Sequence, residues 1–184
     1  MKYLFYLLIT LSVGTTLFSC SDKKLNEEDL PVYDGPVVEA DSISTLYSDS
    51  AIVRIKLMAK KQFEFENGDR DFPEGMYMEF YEPDGRVSST LVANQGHYYR
   101  EENLYKATGD VRVNSVDNGD KLNTEELFWN PTEEKVYTDK FVRVEQEGDI
   151  TTGEGLEAAQ DFSTWRILKP TGFISMDEEE DEEE

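Results

Sequence analysis

His97 is the only histidine of the 184-residue sequence, and Cys20 is the only cysteine. The side chains that most often run acid–base, nucleophilic or zinc chemistry therefore occur once each. His97 lies in the aromatic run Gly96-His97-Tyr98-Tyr99, where a packing or surface residue is expected rather than a general base. One His and one Cys cannot furnish a zinc site. No glycine-rich phosphate loop and no nucleophile elbow occur. Asp117-Asn118-Gly119-Asp120 looks like part of a calcium loop. It lacks the regular ligand spacing and the closing Glu, and Asn-Gly between apolar runs reads as a hairpin turn. Glu125-Glu126 and Glu133-Glu134 are expected to be solvated strand ends, not the facing carboxylates of a glycosidase. These residues predict no catalytic site, no metal and no cofactor.

What positions them is a chain organised almost wholly by alternation. The stretch from Gly109 to Leu156 is the clearest case. Val111 and Val113 alternate with Arg112 and Asn114, Asn118-Gly119 turns the chain, and Leu122, Thr124, Leu127, Trp129, Val136, Thr138, Val142 and Val144 continue the pattern. Period-two alternation with Gly, Asn and Asp punctuation predicts half-buried antiparallel strands, five or six of them here. Upstream, Val37-Val38 and Ile43–Tyr47 predict a loosely specified strand pair, and Ala51–Ala59 a clear strand. Met76–Tyr81 and Arg86–Ala93 flank Pro83-Asp84-Gly85, a hairpin signal. His97–Tyr99 and Leu104–Ala107 form a second such unit, and Asn67–Pro73 reads as a polar connection. Thr164–Leu168 and Phe173–Ser175, around Pro170-Thr171-Gly172, read as a final hairpin. The expectation is twelve to fourteen short strands and no amphipathic helix, an all-β chain of sandwich, barrel or jelly-roll type.

The ends of the chain differ from this middle. Lys2 followed by the apolar run Tyr3–Phe18 predicts an export signal over residues 1–19, shorter than the roughly 20 residues that span a bilayer. It leads into Leu17-Phe18-Ser19-Cys20, which resembles a bacterial lipobox and predicts acylation of Cys20. Several acyl chains at about 0.8 kcal/mol per buried methylene make a stable anchor. Residues 20–35 read as the lipidated N-terminus and a flexible tether, residues 36–175 as the folded domain, and residues 176–184 as a disordered acidic tail. The formal net charge is −22, of which the all-acidic run Asp177–Glu184 supplies eight, so the body is acidic too. Phosphate backbones would be repelled, and no nucleic-acid partner is expected.

Five segments in order carry a family resemblance: SDSAIVRIKLMA, FPEGMYMEFYEPDGRVSSTLVANQGHYY, LYKATGDVRV, LNTEELFWNPTEEKVYTD and ITTGEGLEAAQDFS. Together they resemble the LptC family, the periplasmic bridge component of the lipopolysaccharide-export ABC transporter, in a Bacteroidetes-like lipoprotein form. The resemblance implies an antiparallel twisted β-jellyroll of the OstA/LptA-like type. It implies lipopolysaccharide as ligand, inner-membrane transporter subunits as donors and a periplasmic LptA-like protein as acceptor by strand-edge stacking. It implies no enzymatic activity, and a periplasmic location with the anchor in the inner membrane. Better-known members keep a transmembrane helix where this chain carries Cys20. A non-transport lipoprotein using the same sheet as a protein-binding scaffold is the alternative.

A carrier of acyl chains needs an apolar face. The alternation nominates Val53, Ile55, Leu57, Met78, Phe80, Leu91, Val111, Val113, Leu122, Leu127, Trp129, Val136, Val142 and Val144 for it. Ordinary core residues would share that face. Anionic headgroups are expected to remain outside it, in solvent or bridged by divalent cations.

Overall fold

The computed structural model describes residues 33–174. The expected signal segment, Cys20, most of the tether and the acidic tail lie outside the described residues. Within them the chain forms eleven strands: β1 (Val38–Asp49), β2 (Ile52–Glu64), β3 (Arg70–Phe72), β4 (Met76–Tyr81), β5 (Val87–Ala93), β6 (Gln95–Tyr99), β7 (Leu104–Ser115), β8 (Lys121–Asn130), β9 (Lys135–Gln146), β10 (Asp149–Ala159) and β11 (Trp165–Ile174). All pair antiparallel in one sheet. No helix among the described residues is long and apolar enough to cross a membrane.

Two long strands are each shared between short ones. Ile55–Ala59 of β2 pairs with β4, while Phe63 and Glu64 pair with β3. On the far side, Arg112–Ser115 of β7 pairs with β5, and Leu104–Thr108 pairs with β6. Beyond β7 the strands follow in chain order to β11. The sheet turns its inner face onto itself. Phe80 on β4 meets Trp129 on β8 edge-on, with ring centres 5.9 Å apart, although β5 and β7 lie between them in the sheet. This is the all-β, jellyroll-like architecture that the alternation predicts.

A line of irregularities across the sheet accommodates the fold. Gly109 and Asp110 of β7, both at positive φ (76° and 46°), stand opposite the single Glu125 of β8. The β8–β9 register shifts between Thr124 and Phe128, and Gly155 of β10 (φ 76°) faces Asp139 and Lys140. Bulges strengthen twist and bend a strand locally. A Cβ on Gly155 would sit 3.0 Å from Leu168, so both its conformation and its space favour glycine. Thr124 donates to the Phe141 carbonyl (2.9 Å), and Thr138 Oγ1 accepts from the Lys140 amide (3.1 Å). Both hydroxyls satisfy backbone groups that the bulges free from the ladder.

Several strand boundaries differ from expectation. Val37-Val38 and Ile43–Tyr47 do not pair with each other; Val38 and Ile43–Tyr47 belong to one edge strand against β2, and Val37 just before it donates to the Glu64 carbonyl. Thr164–Leu168 and Phe173–Ser175 are not a hairpin either. Trp165–Ile174 is one strand, and Pro170-Thr171-Gly172 is a register shift inside it. Proline in an edge strand sacrifices a donor that no neighbour needs. Gly109 to Leu156 contains the end of β7 and three further strands, β8–β10, because Gly109 and Gly155 bend strands that sequence punctuation would end. Asn67–Pro73 holds a short strand, β3, whose Phe72 is 2% exposed.

The outer face carries locally paired polar groups. Glu79 accepts from Tyr81 (2.5 Å) and Tyr77 (3.3 Å) and pairs with Lys56 (3.4 Å). The Tyr81 hydroxyl, with help from Lys56 and Tyr77, holds the Glu79 carboxyl below the usual carboxylate range. Bonding to Glu79 pushes the Tyr81 phenol up to about 12. A carboxylate with a lowered folded-state pKa adds stability above its unfolded pKa and loses it as pH falls through the folded one. The tyrosine acts at the other end, its contribution fading as pH rises from about 10 toward about 12. Urea denaturation midpoints measured from pH 6 down to pH 3 should therefore fall less steeply in Glu79→Gln than in the wild type. Identical slopes would refute this coupling.

Candidate functional site

Cross-strand partners project from the same face of a sheet. Tracing them from edge to edge shows what the inner face presents. One unbroken row runs Thr45, Leu57, Met78, Leu91, Val113, Leu122, Val144, Thr151, Phe173, from β1 to β11. Its six central side chains are no more than 5% exposed. Its terminal residue Phe173 is 65% exposed, so apolar surface continues to the edge. A second row, nearer the fold's other end, runs Glu64, Arg70, Tyr98, Tyr105, Trp129, Val136, Ala158, Trp165.

All the nominated residues except Val53 are buried on this face. Val53 is half-buried, because the β1–β2 register shifts beside its partner Ser48. Alternation alone missed Phe72, Met76, Leu156 and Phe162, each no more than 5% exposed. Leu156 follows the Gly155 bulge, where the period slips by one. Phe162 lies outside any strand, at φ 57°, and folds into the interior to meet Phe80 at 6.1 Å. No sequence period could signal a loop residue of that kind. A hydrophobic residue between Gln160-Asp161 and Ser163-Thr164 was the only available sign.

The face is closed by its own side chains. A void of about 20 Å³ remains between Val113, Leu122, Val144, Leu156, Phe162 and Trp165. A groove of about 640 Å³ lies where β4 and β5 end against β1 and β2, lined by outer-face Met58, Tyr77 and Val92 as well as Ile43, Ala59 and Met76. That volume lies within the range of ordinary ligand clefts. Among the described residues β1 pairs only with β2 and β11 only with β10. The two walls are held together by side-chain packing rather than by a ladder, so they can part without breaking backbone hydrogen bonds between strands.

The polar groups singled out from sequence are structural in their placement. His97 lies half-buried on the outer face, its Nδ1 against Asp71 and its ring 4.1 Å from Tyr99. Glu126 is not a solvated strand end. It sits beside the bulge of β8, 15% exposed, between Lys106 (2.6 Å) and Lys140 (3.7 Å). Asp117–Asp120 is the β7–β8 turn, as expected, but Asp120 is only 6% exposed. Its Oδ2 accepts from Asn118 (2.9 Å), Gln146 (3.0 Å) and the Trp165 indole (3.2 Å). Among the described residues no three His, Cys, Asp or Glu side chains converge as a metal site. What the arrangement offers is apolar surface leading to two open edges.

A family model described as LptC, lipopolysaccharide-assembly, LptC-related, matches residues 6–170. No curated protein matches the chain.

Proposed function

The chain belongs to the LptC-related lipopolysaccharide-assembly family, and on that premise we propose that it is the periplasmic bridge that moves lipopolysaccharide from an inner-membrane ABC transporter toward the outer membrane. Membership carries a role in lipopolysaccharide transport rather than catalysis, in the periplasm and associated with the inner membrane. The finer reading is that the inner face takes the acyl chains and a periplasmic jellyroll partner stacks on an open edge to receive them. Anchoring through lipidated Cys20 belongs to the same proposal.

The observation that carries this reading is the apolar row from Leu57 to Val144 across the inner face, with exposed Phe173 beyond it at the β11 edge. A 14-carbon acyl chain costs on the order of 10 kcal/mol to expose to water, at about 0.8 kcal/mol per methylene. A carrier must offset that cost along its route, and an apolar inner face whose walls can part supplies surface for doing so. The edges also suit main-chain pairing with another strand. Leu46 near one edge and Phe173 and Ile174 at the other are 58%, 65% and 58% exposed.

Photo-crosslinking in the native host tests the proposal. Phe80 and Leu127 are each 1% exposed, so a bulky crosslinker there would disturb the core. Ile43 and Tyr98 are half-buried against that core and can accept one. Phe141, 57% exposed on the opposite face, is the control. Lipopolysaccharide adducts at Ile43 and Tyr98 but not at Phe141 are expected. Adducts to proteins alone at all three positions would favour a scaffold and sink the carrier.

A further inference from the structure

The second inner-face row is graded in chemistry as well as in burial. Trp129, 3% exposed, stacks on Tyr105 at 4.7 Å, and Tyr105 packs on Tyr98 at 4.5 Å. The Arg70 guanidinium then lies 5.5 Å from the Tyr98 ring centre. Tyr105 is half-buried, and burial pushes its phenol up to about 12. Arg70 itself is about one-third exposed. Its Nε donates to Glu64 at 3.1 Å. Among the described residues the two Nη groups have no hydrogen-bond partner. The row therefore passes from a buried indole, over two phenol rings, to a cation with free donors facing solvent.

We propose that Arg70 is an anion subsite at the end of the inner face, which takes the phosphate of a phosphorylated amphiphile while its hydrocarbon lies along Tyr98, Tyr105 and Trp129. This rests on the carrier reading and refines it, since the headgroup is then held rather than left to solvent. A guanidinium suits the task because it presents paired donors in a plane and remains charged while stacked on an aromatic ring. Its Nε can keep Glu64 while both Nη groups turn to phosphate. Glu64 has two effects. It fixes the guanidinium over Tyr98, and its own negative charge weakens the attraction for an anion, so that release remains easy. In a chain of net charge −22 a headgroup phosphate meets few such places, which makes one on the lipid-facing surface selective.

The test uses the purified full chain and two probes of equal chain length, dodecyl phosphate and dodecyl maltoside, read by the emission of Trp129 and Trp165. The wild type should bind the phosphate at least about tenfold more tightly at low salt, as expected for a charge-assisted hydrogen bond, and salt should shrink that preference. Arg70→Gln should bring the two probes within about twofold while leaving dodecyl maltoside binding unchanged. Glu64→Gln should strengthen phosphate binding a few-fold, which no purely structural ion pair would do. A phosphate preference that survives in Arg70→Gln, or one absent from the wild type while dodecyl maltoside still binds, overturns the subsite and leaves the carrier standing. Failure of both probes to bind the wild type would overturn the subsite and the carrier together.

Discussion

Trp129→Ala is expected to lower the folding stability of the domain by about 3–5 kcal/mol, at the upper end for a single substitution. The indole joins four parts of the chain. It stacks on Tyr105 of β7 and meets Phe80 of β4 and Tyr47 of β1 edge-on, at 5.9 Å and 6.0 Å. Its Nε1–H donates to Gln160, in the loop after β10, at 3.2 Å. Alanine would remove the contact that draws the two halves of the sheet together and would leave a cavity that flanking strands cannot fill without moving. Trp129→Phe should keep most of the packing and lose the hydrogen bond, for about 1–2 kcal/mol. Urea denaturation followed by circular dichroism measures both. A loss under about 1 kcal/mol for Trp129→Ala would mean that the inner face is loosely packed and that Trp129 does not join its walls.

Where alternation was uninterrupted, sequence was a sufficient guide. Val111, Val113, Leu122, Val142 and Val144 are all buried where period two places them. It became less reliable at the bulges. Thr124 and Leu127 share a face although three residues apart, because the β8 register slips between Thr124 and Phe128. Glu126 falls at that slip. Its charge suggested solvent, yet the shift in register brings it between two lysines. Phe72 was hidden in a polar segment because a three-residue strand is too short to show a period. The groove at Ile43 and Met76 arises where β2 changes partners, from β4 to β3. Partner changes depend on contacts distant in sequence, so no local pattern announces them. Arg70 was likewise invisible as a site. Only the register Arg70, Tyr98, Tyr105, Trp129 brings it into line with the aromatic rings.

Asp120→Ala is expected to cost about 2–4 kcal/mol and to loosen one edge of the sheet selectively. Three side-chain donors converge on a single buried carboxylate oxygen, and each hydrogen bond to a charged acceptor contributes about 1.5–3 kcal/mol, less than additively when they share it. Of the three, the Trp165 indole bears most directly on the proposed edge pairing, since Trp165 is the first residue of β11, which among the described residues has a neighbour on one side only. Without Asp120 that residue is held by its pairing with Ala158 and by side-chain packing alone. Hydrogen exchange should then rise in β11 well above the rest of the domain. Capture of a strand-stacking partner at that edge should weaken more than in Leu57→Ala, a control of comparable stability loss placed on β2. Asp120→Asn, which retains an acceptor oxygen, should show less than half of either effect. Uniform exchange across the sheet in Asp120→Ala would place the whole effect in global stability. It would remove the link between this turn and the edge. If the link holds, a residue whose sequence context reads only as a hairpin turn sets how firmly the edge is presented to a partner.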